Sequence, residues 1–115
     1  TGTYDLVVSS DVLEHIEPEY LDNVIQHMGS LSGKILAADI PTDPTGQKLV
    51  EGPYAGHDEH LTVENVDWWQ QKMGKNLPGF DLISARHEPI ILRYASGAPK
   101  PGGPRIRARL IYGLR

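Results

Sequence analysis

The sequence predicts a single α/β domain over residues 1–115, with a mostly parallel sheet that ends in an antiparallel strand pair. Three observations carry that reading. Tyr4–Ser9 (YDLVVS) and Lys34–Ile40 (KILAADI) are short apolar runs of the kind found in strands covered on both faces. A segment of helical period follows each run, and helical crossovers join parallel strands. Phe80–Arg86 and Arg105–Gly113 have no helix between them, so they can pair antiparallel. Helices over both sheet faces would complete a three-layer α/β/α stack.

The elements follow in order as β-α-β-α-β-β. Tyr4–Ser9 gives way abruptly to a polar cluster, "SDVLEHIEP". Pro18 sits where a first helical turn accepts proline, and Tyr20, Leu21, Val24, Ile25 and Met28 then recur at helical spacing. Gly29 and Gly33 are the expected stop. Lys34–Ile40 is the second strand, halted by Pro41, and Pro41–Leu61 forms a loop long enough to be functional or disordered. Thr62 is placed to cap a second helix whose apolar face is Val63, Val66, Trp69 and Met73. Phe80–Arg86 is the third strand, extended after a break by Pro89–Tyr94. Residues 95–104 (ASGAPKPGGP) make a flexible connection, and Arg105–Gly113 (RIRARLIYG) alternates as a final strand.

Composition narrows the class. The chain is 39% hydrophobic and 23% charged, and it has no apolar run approaching the roughly 20 residues that cross a bilayer. With no signal-peptide pattern and no cysteine, a cytoplasmic protein without a membrane partner is expected. The net charge is −4, but residues 1–67 hold 13 of the 15 acidic groups, while all six arginines lie between Arg86 and Arg115. The molecule should have an acidic end and a basic tail. In open parallel sheets, ligands bind beyond the carboxyl ends of the strands, where Asp11–His15, Asp39–Thr42 and the long loop converge.

Residues 4–94 resemble the second half of a class I S-adenosylmethionine-dependent methyltransferase. "YDLVVSSDVLEHIEPEYLDNVI" is similar to the family's fourth strand and its D/E-V-L-E-H block. "GKILAADIP" is similar to the fifth strand, and "HDEHLTVENVDWW" to a histidine-bearing loop and helix of many members. The terminal strands resemble the antiparallel pair of that Rossmann-like fold. The resemblance implies methyl transfer to an oxygen or nitrogen of an acceptor, with S-adenosylmethionine as cofactor. It also implies contact between the cofactor's methionine end and Ser9, Ser10 and Asp11, residues that read equally well as an ordinary strand cap.

The sequence departs from the family in one respect. No Gly-rich strand-turn-helix is present, since the glycines of residues 95–104 lack that context. Nor is there the acidic residue that would hold the ribose. The alternative reading is therefore an inactive methyltransferase-like module that acts as an interaction or structural subunit. On either reading Tyr4–Ser9, a central strand in the full fold, lacks a neighbour. It is expected to pair with a second copy as a homo-oligomer, simplest as a dimer, or with an N-terminal half.

Asp11, Glu14 and His15 stand at i, i+3 and i+4, so one helical turn can present all three on one side. Three roles stay open for them. Glu14 and His15 can pin the turn and loop by hydrogen bonds. His15 or His60, with Asp11, can serve catalysis by contacting substrate or accepting a proton from it. Glu14, His15 and His60 can hold magnesium or manganese, resembling the E-x-x-E-H metal site of small-RNA 2′-O-methyltransferases, with Asp11 a methylene shorter than the first acid there. Trp69 reads as core and Trp68 as loop cover or a stacking platform, while His27 and His87 read as surface or hydrogen-bond-satisfied groups. Arg105, Arg107 and Arg109 share one strand face, suited to phosphates of a nucleic-acid acceptor or to acidic neighbours. The acceptor, small molecule or nucleic acid, is not encoded in a recognisable pattern.

Overall fold

The computed structural model describes residues 2–42, 62–90, 93–99 and 105–115. Strand β1 (Tyr4–Ser10) leads through a short 3-10 turn (Leu13–His15) into helix α1 (Pro18–Leu31) and strand β2 (Ser32–Thr42). Helix α2 (Val66–Asn76), strand β3 (Phe80–Ile90) and strand β4 (Arg105–Leu114) follow. The sheet order is β1-β2-β4-β3, with β1 parallel to β2 and β4 antiparallel to both of its neighbours. The predicted β-α-β-α-β-β order and the antiparallel terminal pair are both present.

Among the described residues the sheet has one covered face. Leu36, Ala38 and Ile40 of β2 lie opposite Tyr112, Leu110 and Ala108 of β4, and all six are buried. Against them pack Leu21 and Ile25 of α1, Trp69 and Met73 of α2, and Leu13 and Leu77. Both described helices therefore lie on the same side. The reason is the direction of the chain: successive right-handed crossovers that step the same way place their helices on one face. The third layer of the expected α/β/α stack is not formed among the described residues. The opposite face presents Leu6 and Val8, each more than half exposed.

Several boundaries differ from those the sequence suggests, each for a local reason. Gly29 does not end α1; it lies where the helix meets Leu77, whose Cδ2 is 2.8 Å from where a Cβ would stand. The helix runs on to Leu31, and β2 begins at Ser32, so Gly33 is a strand residue against Thr3. Pro41 ends nothing either, because β2 continues to Thr42 and Pro41 faces Arg107 in the ladder. Thr62 is not the cap of α2. Its hydroxyl donates to the Ile16 carbonyl, and the Asn65 side chain accepts the Trp68 N–H at 2.8 Å instead. The break expected between Arg86 and Pro89 is absent: β3 runs unbroken to Ile90, and its one irregularity is a register shift between Leu82 and Ser84. Within 93–99 the chain makes a tight turn with Gly97 at φ 91°, the Tyr94 N–H donating to the Ala98 carbonyl. Residues 43–61, with most of the long loop, and residues 100–104 lie outside the described residues.

A buried amide joins the two helices. Asn76 at the end of α2 donates to Asp22 Oδ1 at 2.8 Å and to the Lys72 carbonyl at 3.0 Å, and accepts from Gln26 Nε2 at 2.8 Å. Lys72 Nζ also reaches Asp22 at 2.9 Å. Hydrogen bonds from Lys72 and then Asn76 hold the Asp22 carboxyl below its ordinary value. Its stabilising effect is thus present above that ordinary value and is lost as pH falls through the depressed one. Asn76→Ala removes both sides of this bridge and leaves Gln26 without its acceptor. We expect a loss of about 2 kcal/mol in urea denaturation with an unchanged slope. A loss below roughly 0.5 kcal/mol would show that the apolar contacts alone fix the helix pair.

Candidate functional site at the carboxyl edge of the sheet

The cluster after β1 is built by a sharp change of backbone direction. Asp11 adopts φ 55°, in the left-handed region that aspartate tolerates better than most residues. Its N–H donates to the Asp39 carbonyl at 3.0 Å, which closes the end of β1 onto β2. The 3-10 turn Leu13–His15 follows at once, with Leu13 and Glu14 fully buried. The predicted one-sided helical turn is therefore not formed. Asp11 precedes the turn and points outward, while Glu14 points into the interior.

Asp11 and Asp39 are both tied to the last strand. Arg107 Nη2 donates to Asp11 Oδ2 at 3.2 Å. Arg109 grips Asp39 with two bonds, Nε to Oδ1 at 2.8 Å and Nη2 to Oδ2 at 3.3 Å. Hydrogen bonding to Asp39 raises the Arg109 guanidinium further above its already high value. Arg107 and Arg109 share a sheet face as predicted, but they are engaged by carboxylates, the second of the two roles foreseen for them. Bidentate pairing of this kind adds geometric specificity as well as energy.

Glu14 is the unusual member. Neither carboxyl oxygen has a hydrogen-bond partner among the described residues, and His15 Nε2 lies 3.8 Å from Glu14 Oε2. Burial, the dominant influence, raises its pKa above the ordinary 4.5. Its own main chain is well anchored: the Glu14 carbonyl accepts the Thr62 N–H at 3.0 Å. The chain thus returns to the cluster at Thr62, two residues after His60 in sequence. His60 itself lies outside the described residues, as does His57. Among the described residues no group of three metal-binding side chains comes together, so the Glu14–His15–His60 set is represented there by Glu14 and His15 alone.

The remaining candidates divide clearly. Ser9 is buried with its hydroxyl unpartnered among the described residues, whereas Ser10 is exposed at the edge. Trp69 is fully buried core. Trp68 meets it edge to face at 5.1 Å, and Lys72 Nζ stands 5.4 Å from the Trp68 ring centroid, so packing is its role. His87 is exposed, as expected, and it also lines an open cleft with Thr42, Asn65, Val66, Asp67 and Ile106, which the sequence alone does not reveal. The shift at Leu82–Ser84 reverses the parity of β3 after it and brings His87 opposite Ala108.

No family model matches the sequence, and no curated protein does. Solved structures do match. Magnesium protoporphyrin IX methyltransferase (ChlM) from Synechocystis PCC 6803, with bound SAM, is 20% identical at a TM-score of 0.57, over 100% of this chain and 41% of that one. TehB from Haemophilus influenzae is 10% identical at a TM-score of 0.68, over 100% of this chain and 37% of its own. YcgJ from Bacillus subtilis is 13% identical at 0.57, over 98% and 64% respectively. The chain therefore has the class I methyltransferase fold, and it spans less than half the length of ChlM and TehB.

The buried carboxyl gives a pH signature. A folded-state pKa above the ordinary value favours the protonated form, so Glu14 costs nothing below about pH 4.5 and becomes a penalty as pH climbs through its raised value. Glu14→Gln should therefore stabilise the chain at pH 7, by roughly 1 kcal/mol, and converge with the parent near pH 4. Thermal melts across pH 4–8 read the difference. A Gln variant that is less stable at neutral pH would show that the carboxylate is ionised and satisfied there.

Proposed function

We propose that the chain forms the acceptor side of an S-adenosylmethionine-dependent methyltransferase, directing a methyl group to an oxygen or nitrogen. The observation that supports this most is the end of β1: a Ser9 hydroxyl without a partner among the described residues, an exposed Ser10 and a left-handed Asp11 meet at the carboxyl edge of a sheet that matches SAM-bound ChlM. These groups fit the polar methionine end of the cofactor. When bound, that cofactor supplies an electrophilic methyl on sulfur. Ser9 and Ser10 bind; Asp11, fixed by Arg107, orients rather than accepts a proton. His15, partly exposed beside the buried Glu14, takes the proton of an acceptor hydroxyl. His60 shares that role in this proposal.

Two parts of one experiment test the reading. Because no Gly-rich nucleotide loop is in the sequence, calorimetry of the 115-residue chain with S-adenosylmethionine should give no binding tighter than roughly millimolar. A chain that also carries the adenosine-binding half of the fold should bind it, and there His15→Ala should lower kcat about 10²-fold with cofactor affinity unchanged. A micromolar constant for the short chain would relocate the nucleotide site. An unchanged kcat would remove His15 as the base.

A second reading, an interaction module, is favoured by the edge position of β1. Among the described residues its outer side is unpaired and is flanked by the exposed side chains of Leu6 (58%) and Val8 (59%), with no proline to blunt it. A two-fold copy joined antiparallel about Val7 would extend the sheet and set Leu6 beside Val8 of its mate. Val7→Pro removes a ladder donor and should shift sedimentation at tens of micromolar from dimer towards monomer while circular dichroism stays folded. A parent chain that already sediments as a folded monomer would overturn this pairing.

A further inference from the structure

The cleft between α2 and the ends of β2, β3 and β4 lies apart from the Ser9–His15 cluster, and none of the foregoing roles uses it. It has a volume of about 360 Å³ and is lined by Thr42, Asn65, Val66, Asp67, His87 and Ile106. That size is at the lower end of the range for small-molecule sites. Building on the methyltransferase reading, we infer that this cleft seats the acceptor, and that the acceptor is a small molecule with an apolar ring and a neutral or cationic polar arm, not an anion.

The apolar part follows from the walls. Val66 and Ile106 are half-buried and contribute hydrocarbon, while the Thr42 hydroxyl is already spent on the Ile106 carbonyl at 2.6 Å. Among the described residues, the polar groups left over are the Asn65 amide N–H₂, Asp67 and His87, all exposed at the rim. A helix start ordinarily favours anions. Here the Asn65 side chain already takes the Trp68 N–H, and Asp67 places a carboxylate in the first turn. That local charge, on a chain of net −4, favours a donor or a cation. The position suits transfer. Thr42 lies three residues past Asp39, which faces Ser10 in the ladder, so the cleft begins roughly 10 Å along the strand from the proposed cofactor contacts. A ring with a two-carbon arm covers most of that distance.

Tyramine and 4-hydroxyphenylacetate share a ring and differ in the charge of the arm, so they serve as paired probes. In ¹H–¹⁵N spectra of the 115-residue chain, tyramine at millimolar concentration should move Thr42, Val66, Asp67, His87 and Ile106 together. It should bind roughly fivefold more tightly than 4-hydroxyphenylacetate, and Asp67→Asn, at an exposed position, should erase that preference while keeping the shifts. No shifts up to about 10 mM, shifts scattered over the acidic surface, or equal or tighter binding of the anion would each overturn the inference. The readout needs neither cofactor nor turnover. Methylation by a completed enzyme without shifts at these residues would sink the pocket alone; shifts here with no methylation would sink the proposed reaction and leave the pocket.

Discussion

The register of β4 against β2 is the constraint on which the rest of the molecule depends. It runs from Ile35 opposite Gly113 to Thr42 opposite Ile106. One consequence is the core, since this register stacks Leu36, Ala38 and Ile40 beside Tyr112, Leu110 and Ala108 under both helices. The other is the site edge, since the same register brings Arg109 opposite Asp39 and Arg107 within reach of Asp11. A slip of one residue would turn the buried set outward and the arginines inward. Gly113 shows how closely the register is specified. Ile83 fills the space above it, with Cδ1 2.5 Å from where a Cβ would be, so a side chain there would displace the extra residue of β3.

The elements that could be read from the sequence are those whose pattern is complete within one segment. The runs at β1 and β2, the helical spacing from Leu21 to Met28 and the alternation of β4 each carry their own period, and each is found within a residue or two of its expected bounds. What could not be read depends on partners distant in the chain. Thr62 and Asn65 are both good caps in isolation; Thr62 is drawn away because its hydroxyl reaches Ile16, 46 residues earlier. Likewise, nothing local says that an extra residue enters β3 near Ile83.

The site divides in the same way. Its location at the carboxyl ends of the parallel strands follows from topology, and the polar residues of "SSDVLEH" announce it. Residues at i, i+3 and i+4 share one side only on a full helical turn. The left-handed Asp11 and the tighter 3-10 geometry separate Asp11 from Glu14, so the first faces solvent and the second the core. Spacing arguments of this kind hold only where the backbone period is already secured. The two carboxyls are held in opposite electrostatic circumstances within four residues: one is countered by a guanidinium, the other is desolvated without a hydrogen-bond partner among the described residues.

The strand order has a consequence for how the protein is made. β4 occupies the sheet interior, between β2 and β3, yet it comprises residues 105–114 of the 115-residue sequence. Both of its ladders wait for residues 105–114. During vectorial synthesis β2 and β3 therefore emerge before the strand that joins them. Such non-local pairing slows folding and leaves apolar strand edges available to other chains. Nascent chains interrupted before Arg105 would lack the strand that holds the sheet's two parts together, and quality-control factors that recognise unpaired strands would meet them first.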